Sequence, residues 1–204
     1  MYVLVNQGAV VDGPRSLPTA WRNVSGLNIL TASELATKGW YSFNEEQWDD
    51  NAYDKGIPLD QINGSVFSRT YPDAALKSDA ELKLFMKTKA ELRFNEAGSG
   101  GFNYSASIPC YSDNNARGEA NMVLSAVTAG ETYPAGYKIR DMNGIRHSVN
   151  WAQFKEYHRL MTTHLVICRN VLNGLLDAIE GATGQDILDI DIEGVNWPLL
   201  SGLN

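Results

Sequence analysis

The pattern of apolar and polar positions divides the chain into two parts. Over residues 1 to about 72, short apolar and aromatic runs are separated by Gly, Pro and Asn, which is typical of strands and turns. Over residues 78 to 180, apolar residues recur every three or four positions, which indicates helices. We therefore predict an α+β fold, in which a small β-rich docking module (1–72) precedes a helical module with a β-hairpin and one long helix (73–204).

In the first module, local signals predict one short helix among strands. Thr31 and Glu34 have the spacing of a capping box, and Gly39 stands where a C-terminal cap is expected, so a short helix should lie between them. The sequence Asp12-Gly13-Pro14 has the composition of a turn. Strands are predicted at Tyr2–Val5, at Trp40–Phe43 and at 64–71.

Two helices open the second module. Ser78 and Glu81 form another capping box, and that helix is expected to end at the glycine-rich stretch 98–101. Either Ser112 or Asp113 is expected to cap the next helix. The glycine-rich stretch lacks the Lys-Ser/Thr pair of a phosphate-binding loop and follows a helix instead of opening one, so we interpret it as a turn.

A β-hairpin is predicted next, and the length of its loop decides its register. A two-residue loop would put Ile139 and His147 on opposite faces of the hairpin. A three-residue loop, 142–144, instead pairs Ile139 with His147 and Tyr137 with Val149, which gathers one apolar face. We predict the three-residue loop, with Gly144 in the left-handed conformation.

The last helix is predicted to be unusually long. From Asn150 to about Glu180, apolar residues form one stripe at three- and four-residue steps. With a rise of 1.5 Å per residue the helix would be about 45 Å long, which exceeds the needs of a compact domain of this size. We expect the stripe to contact another element or subunit along most of its length, and part of it to pack against a partner chain.

Composition narrows the classes of function. The 204 residues are 44% apolar, which is enough for a core, and the formal net charge is −7. Nucleic acid is not an expected partner, because binding to its phosphates requires clustered Lys and Arg. No apolar run reaches the roughly 20 residues that span a bilayer, so no membrane partner is expected. Cys110 and Cys168 lack the spacing of a disulfide framework or a zinc site and are expected to be buried thiols in a reducing cytosol.

Two constellations resemble metal or acid–base sites, and in each we prefer a structural interpretation. His164 and Cys168 are four residues apart on the long helix, but no further ligand follows at a recognisable spacing, so core packing is preferred. The segment Asp186–Glu193, read as a strand, places three carboxylates on one face, where they would suit calcium or an acid–base pair. A half-buried strand with a solvated face explains the same pattern with no added assumption.

An acidic loop that contains aromatic residues is a further candidate site. Trp48 and Tyr53 lie among the carboxylates of residues 45–54, and a flat ring beside carboxylates is a typical platform for a sugar. We prefer a solvated acidic loop. No nucleophile–base spacing and no dinucleotide-binding fingerprint occurs in the sequence. We therefore predict that the protein is not an enzyme, and that it has no catalytic residue, no cofactor and no metal.

Several short motifs over about residues 78–198 resemble, in the same order, a C-terminal helical domain found in tail, baseplate and tail-fibre-associated proteins of tailed bacteriophages. They are Lys89-Ala-Glu-Leu-Arg-Phe-Asn-Glu-Ala-Gly-Ser-Gly-Gly101, Ile108-Pro-Cys-Tyr-Ser-Asp113 before a helix, the hairpin before Trp151, His164-Leu-Val-Ile-Cys-Arg169, and Asp186-Ile-Leu-Asp-Ile-Asp-Ile-Glu-Gly-Val-Asn-Trp-Pro198. The segment Leu30–Trp40 is similar to a module that often precedes this domain. In this chain Val195-Asn196 separates the last glycine from the tryptophan, where the family more often has Gly directly before Trp.

The resemblance implies a structural protein of the phage virion, in the tail, baseplate or tail-fibre attachment region, that acts through protein–protein assembly. It implies other phage tail proteins as partners, a homo-oligomer, and a location in the virion tail after assembly in the host cytoplasm. Two alternatives stay open: a tail-fibre assembly chaperone, and a carbohydrate-binding module of the host-adhesion apparatus. The candidate interface residues are Trp21, Trp40, Trp48, Trp151, Phe154, Tyr157, Met161, Leu165 and Trp197.

Overall fold

The computed structural model describes residues 1–22, 24–104 and 108–198, and its chain separates into two compact units. The first unit is Met1–Lys77, and the second begins at Ser78. Strands dominate the first unit and helices the second, so the predicted α+β class is confirmed.

The first unit is built mostly from short strands. In chain order its elements are β1 (Tyr2–Asn6), β2 (Ala9–Arg15), β3 (Ala20–Trp21), β4 (Val24–Ser25), a 3-10 helix (Leu27–Ile29), α1 (Ala32–Thr37), β5 (Trp40–Glu45), β6 (Tyr53–Asp54), β7 (Leu59–Asn63), β8 (Val66–Thr70) and β9 (Ala75–Leu76).

A five-stranded sheet with the order β2-β1-β5-β8-β7 forms the frame of this unit. Neighbouring strands are antiparallel, except that β5 and β8 are parallel. The three strands predicted for this module are confirmed as β1, β5 and β8. Trp40 of β5 lies opposite Leu4 of β1, and both are buried with Leu27 and Leu35 in one apolar cluster.

The predicted turn at Asp12-Gly13-Pro14 is wrong, because these residues lie inside β2. The chain turns earlier, at Gln7 and Gly8, whose φ angles are 51° and 82°. Gly13 lies where the register between β1 and β2 shifts, and a Cβ there would be 2.5 Å from the carbonyl oxygen of Tyr2. A bulge on an edge strand is also a place where a sheet accommodates proline.

The capping box predicted for α1 is confirmed. The Glu34 carboxylate accepts the backbone N–H of Thr31 at 2.8 Å, and the Thr31 hydroxyl accepts the backbone N–H of Glu34 at 3.3 Å. Gly39 then returns the chain to the sheet with a φ of 83°. A Cβ on Gly39 would lie 2.7 Å from the carbonyl oxygen of Val5, so this glycine lets the helix end close against β1.

The second unit is mostly helical. Its described elements are α2 (Asp79–Ser99), β10 (Phe102–Tyr104), β11 (Ile108–Cys110), α3 (Asn114–Thr128), β12 (Lys138–Arg140), β13 (Arg146–Ser148), α4 (Trp151–Gly181) and α5 (Gln185–Leu188).

The helix starts predicted in this unit are confirmed. Ser78 opens α2 with a complete capping box. Of the two candidates for the next cap, Asp113 is the capping residue, because its carboxylate accepts the backbone N–H of Ala116 at 2.8 Å. Ser112 is buried and instead donates its hydroxyl to the carbonyl of Gly98 at 2.6 Å.

The three-residue hairpin loop is confirmed. Ile139 pairs with His147, and the backbone N–H of Val149 donates to the carbonyl of Tyr137 at 3.1 Å. Gly144 has a φ of 82°, as a left-handed loop residue requires. Ile139 and Val149 are both buried, so the register turns the apolar face inward.

The long helix is confirmed as α4, and the chain itself covers its apolar stripe. α4 contacts α2, α3 and β10, and neither it nor another helix in the described residues has the length and apolar character of a membrane span. The expected contact with another element is therefore confirmed. The length of α4 gives no separate reason for a partner chain, and the homo-oligomer stays a prediction. The buried residues of α4 are Phe154, Tyr157, Met161, His164, Cys168, Leu172, Leu175 and Ile179.

The strand predicted at Asp186–Glu193 is wrong. α5 occupies the first part, and a turn follows in which the Asp191 carboxylate accepts the backbone N–H of Gly194 at 2.7 Å. Ile187 and Ile192 are both buried, although residues five positions apart in a strand would lie on opposite faces, so the side chains do not alternate between two faces. The carboxylates of the segment are exposed, as expected for a solvated surface.

Candidate functional site

The first unit contains a pocket with apolar walls and a cationic rim. Its volume is about 270 Å³, and it lies between β1, the β3–β4 hairpin, the 3-10 helix and the start of β5. The walls are formed by Leu4, Trp21, Val24, Leu27 and Trp40, and the polar side chains at the pocket are Asn6, Arg22 and Lys38. Because two predicted interface residues, Trp21 and Trp40, meet here, we name it the Trp21–Trp40 pocket.

Two tryptophans give the pocket its shape. The rings of Trp21 and Trp40 pack edge to face, with their centroids 5.6 Å apart. Strand pairing holds each ring, because Trp40 lies opposite Leu4 in the sheet and Trp21 lies opposite Val24 in the β3–β4 hairpin. An edge-to-face pair of this kind is a favourable arrangement of aromatic quadrupoles, so the wall is preformed.

A third side chain, Arg15, supports the tryptophan pair. Its guanidinium carbon lies 5.8 Å from the ring centroid of Trp21 and 5.8 Å from that of Trp40. The same guanidinium is ion-paired with Asp12, which fixes its position. The indole N–H of Trp40 is buried without a hydrogen-bond partner among the described residues, which is uncommon for a buried donor.

Two cations lie at the rim of the pocket, and none of the described residues that line it is acidic. The side chains of Arg22 and Lys38 border the pocket, and neither makes a hydrogen bond or ion pair with a described residue. Arg22 has a φ of 53° in the turn between β3 and β4. A carboxylate that enters the pocket would therefore meet positive charge that the protein has not neutralised.

The capping box of α1 explains why an acidic neighbour does not neutralise Lys38. The Glu34 carboxylate is held by the backbone N–H of Thr31 and by its hydroxyl, at 2.8 Å and 2.7 Å. These hydrogen bonds, with a smaller contribution from the charge of Lys38, lower the pKa of Glu34. The Glu34 carboxylate therefore caps the start of α1, and the ammonium of Lys38 stays available to bind an anion at the rim of the pocket.

This combination of groups suits a ligand that joins an apolar body to an anionic group. The partly exposed side chains of Trp21 and Val24 can remove an apolar side chain from water, and burial of one such side chain is worth about 1.5–3 kcal/mol. The cations would orient the anionic end and favour acidic partners. An acidic-apolar peptide segment has this chemistry.

The acidic-aromatic loop around Trp48 is shaped by its own hydrogen bonds. Trp48 packs edge to face on Tyr53, with centroids 4.8 Å apart. The Asp49 carboxylate accepts the backbone N–H of Asn51 at 2.9 Å, and Asp50 is ion-paired with Lys55 at 2.8 Å. These contacts give Asp49 and Asp50 a local structural role, and both residues are exposed.

The structure divides the nine predicted interface residues between core and surface. Five of them are core residues with exposed fractions of at most 6%: Trp40, Phe154, Tyr157, Met161 and Trp197. We do not retain these five as direct contacts on an open surface, and Trp40 contributes to the Trp21–Trp40 pocket as the buried ring that the Trp21 ring packs against. Apolar residues at helical spacing form the inward face of a helix as readily as a contact face, which is why the sequence did not separate them. The other four are half-buried: Trp21, Trp48, Trp151 and Leu165.

His164 and Cys168 have the structural role that the sequence favoured. His164 is buried, and its Nε2 lies 3.0 Å from the carbonyl oxygen of Ala97 and 3.7 Å from the Cys168 sulfur. Burial lowers the pKa of His164 and raises that of Cys168. Among the described residues, no group of three or more His, Cys, Asp or Glu side chains has the arrangement of a metal site.

Sequence reasoning missed the cationic rim of the Trp21–Trp40 pocket. Arg22 and Lys38 are far apart from Leu4 in sequence, and only the sheet and the β3–β4 hairpin bring them to one opening. The local sequence shows only that Arg22 follows Trp21 and that Lys38 is two residues before Trp40. A cation near a tryptophan is too common a pattern to indicate a site.

Comparison of the chain with protein-family models, with curated proteins and with solved structures gives no significant match.

Proposed function

We propose that this chain is a structural component of a phage virion, in the tail, baseplate or tail-fibre attachment region, and that it acts through protein–protein assembly. The order of short motifs from Lys89 to Pro198 supports the phage assignment. The proposal includes other phage tail proteins as partners, a homo-oligomer, and a place in the virion tail after assembly in the host cytoplasm. It assigns no catalytic activity, and neither nucleic acid nor membrane as a partner.

The Trp21–Trp40 pocket is the observation that carries the assembly role. Its preformed aromatic wall, and rim cations that have no ion-pair partner in the described part of the chain, support a receptor for an acidic-apolar segment of a neighbouring tail protein. Aromatic residues that line a pocket are typical anchors of protein interfaces. The chain as a whole has a net charge of −7, so a local group of cations would attract an acidic partner to this rim and fix its orientation there.

A free sheet edge offers the first unit a second way to assemble. β7 is the last strand of the five-stranded sheet, and it is exposed along its whole length. Leu59 and Ile62 of this strand each have an exposed fraction of 45%. An exposed edge of this kind accepts a strand from another chain, so β7 supports addition of a strand from a neighbouring tail protein.

Mass spectrometry of purified phage particles is the direct test of the proposed location. A structural component should be present in particles at a stoichiometry comparable with that of other tail proteins. Absence from the particles, combined with binding to immature fibres, would instead favour the assembly chaperone. Absence from both would overturn the proposal.

Variants of the pocket test the assembly role separately. Trp21→Ala removes part of the wall and Lys38→Glu reverses a rim charge, so both should reduce incorporation into particles. Tyr41→Ala is the matched control, because Tyr41 is also a half-buried aromatic residue of the first unit but does not line the pocket. Incorporation should be near normal for the control, and equal incorporation of all three variants would contradict the role of the pocket.

A glycan array probed with the native protein and Trp48→Ala addresses the carbohydrate-binding alternative.

A further inference from the structure

A second cavity, in the helical unit, has the composition of an anion site. It has a volume of about 480 Å³ and lies where the end of α2, the start of α3 and the middle of α4 meet. Its polar lining residues are Asn95, Ser99, Asn114, Arg117 and Arg169. None of its lining residues within 1–22, 24–104 and 108–198 is acidic, although the chain has more acidic than basic residues.

Arg169 is held in place by an aromatic ring and keeps its hydrogen-bond donors free. Its guanidinium carbon lies 4.4 Å from the ring centroid of Phe94, within the range of a cation–π contact. It makes no hydrogen bond or ion pair with a described residue, so all its N–H groups are available to a ligand.

Arg117 is oriented by two hydrogen bonds that leave part of its guanidinium free. Its Nε donates to the carbonyl of Asp113 at 3.3 Å, and its Nη2 donates to the side-chain oxygen of Asn114 at 2.6 Å. The Asp113 carboxylate does not compete for this cation, because it accepts the N–H of Ala116 at the helix start. The donors on Nη1 have no partner among the described residues.

Two carbonyls and one carboxylate near the end of α2, which would repel an anion, already have partners. The carbonyl of Ala97 lies 3.0 Å from Nε2 of His164, and the carbonyl of Gly98 accepts the hydroxyl of Ser112 at 2.6 Å. Glu96, on the same helix, is paired with Arg93 at 3.0 Å and does not line the cavity. The cavity therefore presents donors and positive charge.

From these contacts we propose that the cavity binds a phosphate monoester, with Arg117 and Arg169 on the phosphate. Two guanidiniums supply two positive charges that do not titrate in the physiological range. A phosphate monoester carries a charge of about −1.5 to −2 at neutral pH, and guanidinium groups bind its oxygens in a bidentate manner. The remaining volume, with Asn95 and Ser99, accommodates the polar alcohol to which the phosphate is attached.

Titration calorimetry of the full chain with inorganic phosphate, glucose 6-phosphate and glucose tests this proposal. Glucose 6-phosphate should bind, and glucose should not. Arg169→Gln and Arg117→Gln should each weaken binding by about tenfold or more, whereas Arg159→Gln, an exposed arginine of the same helix α4 paired with Glu156, should stay within about twofold of the native protein. Circular dichroism checks that each variant is folded.

The pH dependence separates a phosphate ligand from general attraction of anions. Affinity for glucose 6-phosphate should rise from about pH 5 to about pH 7.5, as the phosphate loses its second proton. Sulfate stays a dianion over this range, so its affinity measures any change in the protein's own groups. Inorganic phosphate that binds as tightly as glucose 6-phosphate would identify the free ion as the ligand, and tighter binding of the sugar phosphate would identify a monoester. Failure of both phosphates to bind at millimolar concentration, or binding that neither arginine variant changes, would overturn the proposal. Because the site is in the second unit, none of these outcomes depends on the proposed phage role.

Discussion

The imidazole Nε2 of His147 lies 2.8 Å from a carboxylate oxygen of Asp141, and this pair closes the hairpin loop of the second unit. Asp141 is buried, and its other oxygen accepts the backbone N–H groups of Asn143 and Ile145 at 2.9 Å and 2.8 Å. One carboxylate thus satisfies two loop donors and binds the opposite strand. The loop that fixes the hairpin register therefore depends on a single charged side chain.

We expect Asp141→Asn to lower the melting temperature of the second unit by a few degrees at neutral pH. The neutral amide of asparagine would form weaker hydrogen bonds with His147 and the two backbone N–H groups than the carboxylate does. In the native protein the hydrogen bond from His147, followed by those from the two backbone N–H groups, lowers the pKa of Asp141. Since the folded-state pKa lies below the usual value of about 3.9, the stabilisation is complete above that pH and is lost as pH falls below it.

Thermal unfolding at several pH values measures this effect. The difference between native protein and Asp141→Asn should shrink on acidification below about pH 4. Asp177→Asn is the control, because Asp177 is an exposed carboxylate of α4 and should change stability little. An Asp141→Asn protein as stable as the control variant would show that the loop does not need the carboxylate.

A second pH effect is expected from His164. Burial lowers the pKa of His164 in the folded state. Below about pH 6.5 the imidazole is therefore protonated in the unfolded chain while it stays neutral in the folded chain. Stability should therefore fall as pH decreases below about 6.5, at up to about 1.4 kcal/mol per pH unit, until the folded-state pKa is reached. Urea unfolding of native protein and His164→Gln between neutral and mildly acidic pH measures the slope. His164→Gln should have a smaller slope than the native protein, and an equal slope would show that burial of His164 does not cause the pH dependence.

The core of the second unit should be sensitive to loss of one ring. Phe154 is fully buried, and its ring packs on those of Tyr137, Tyr157 and Trp151. Phe154→Ala should reduce the free energy of unfolding by about 3–5 kcal/mol, because it removes a large apolar side chain and leaves a cavity. Val166→Ala on the same helix is the matched control, since Val166 is 52% exposed and its replacement should change stability by less than about 0.5 kcal/mol. Urea denaturation followed by circular dichroism compares them, and similar midpoints would mean that the stripe is not the core of this unit.

The elements that follow from local chemistry were predictable from the sequence. The capping boxes at Thr31 and Ser78 and the loop ending at Gly144 involve hydrogen bonds or backbone angles within a few residues. The strand expected at Asp186–Glu193 failed because a few alternating residues also fit a short helix followed by a turn.

The long-range parts were not predictable. The parallel pairing of β5 and β8, the bulge at Gly13 and the two cavities bring together residues that are distant along the chain. A single sequence carries no signal for such contacts. Trp21 and Trp40 could be chosen as candidates because they are aromatic. The cations beside them could not, because only the folded chain brings Arg22 and Lys38 to the same pocket.

Two glycines with similar backbone angles should differ in their tolerance of a side chain. Gly39 and Gly8 have φ angles of 83° and 82°, so alanine at either position is strained by about 1–2 kcal/mol. A Cβ at Gly8 would meet nothing within 4 Å, whereas a Cβ at Gly39 would lie 2.7 Å from the backbone oxygen of Val5. Gly39→Ala must therefore also push α1 away from β1, where the N–H of Val5 donates to the Gly39 carbonyl at 2.8 Å. We expect Gly39→Ala to destabilise the first unit clearly more than Gly8→Ala, as measured by urea unfolding, and to perturb the fluorescence of the adjacent Trp40. Equal destabilisation by the two variants would show that the backbone angle alone, and not the close approach of α1 to β1, requires glycine at position 39.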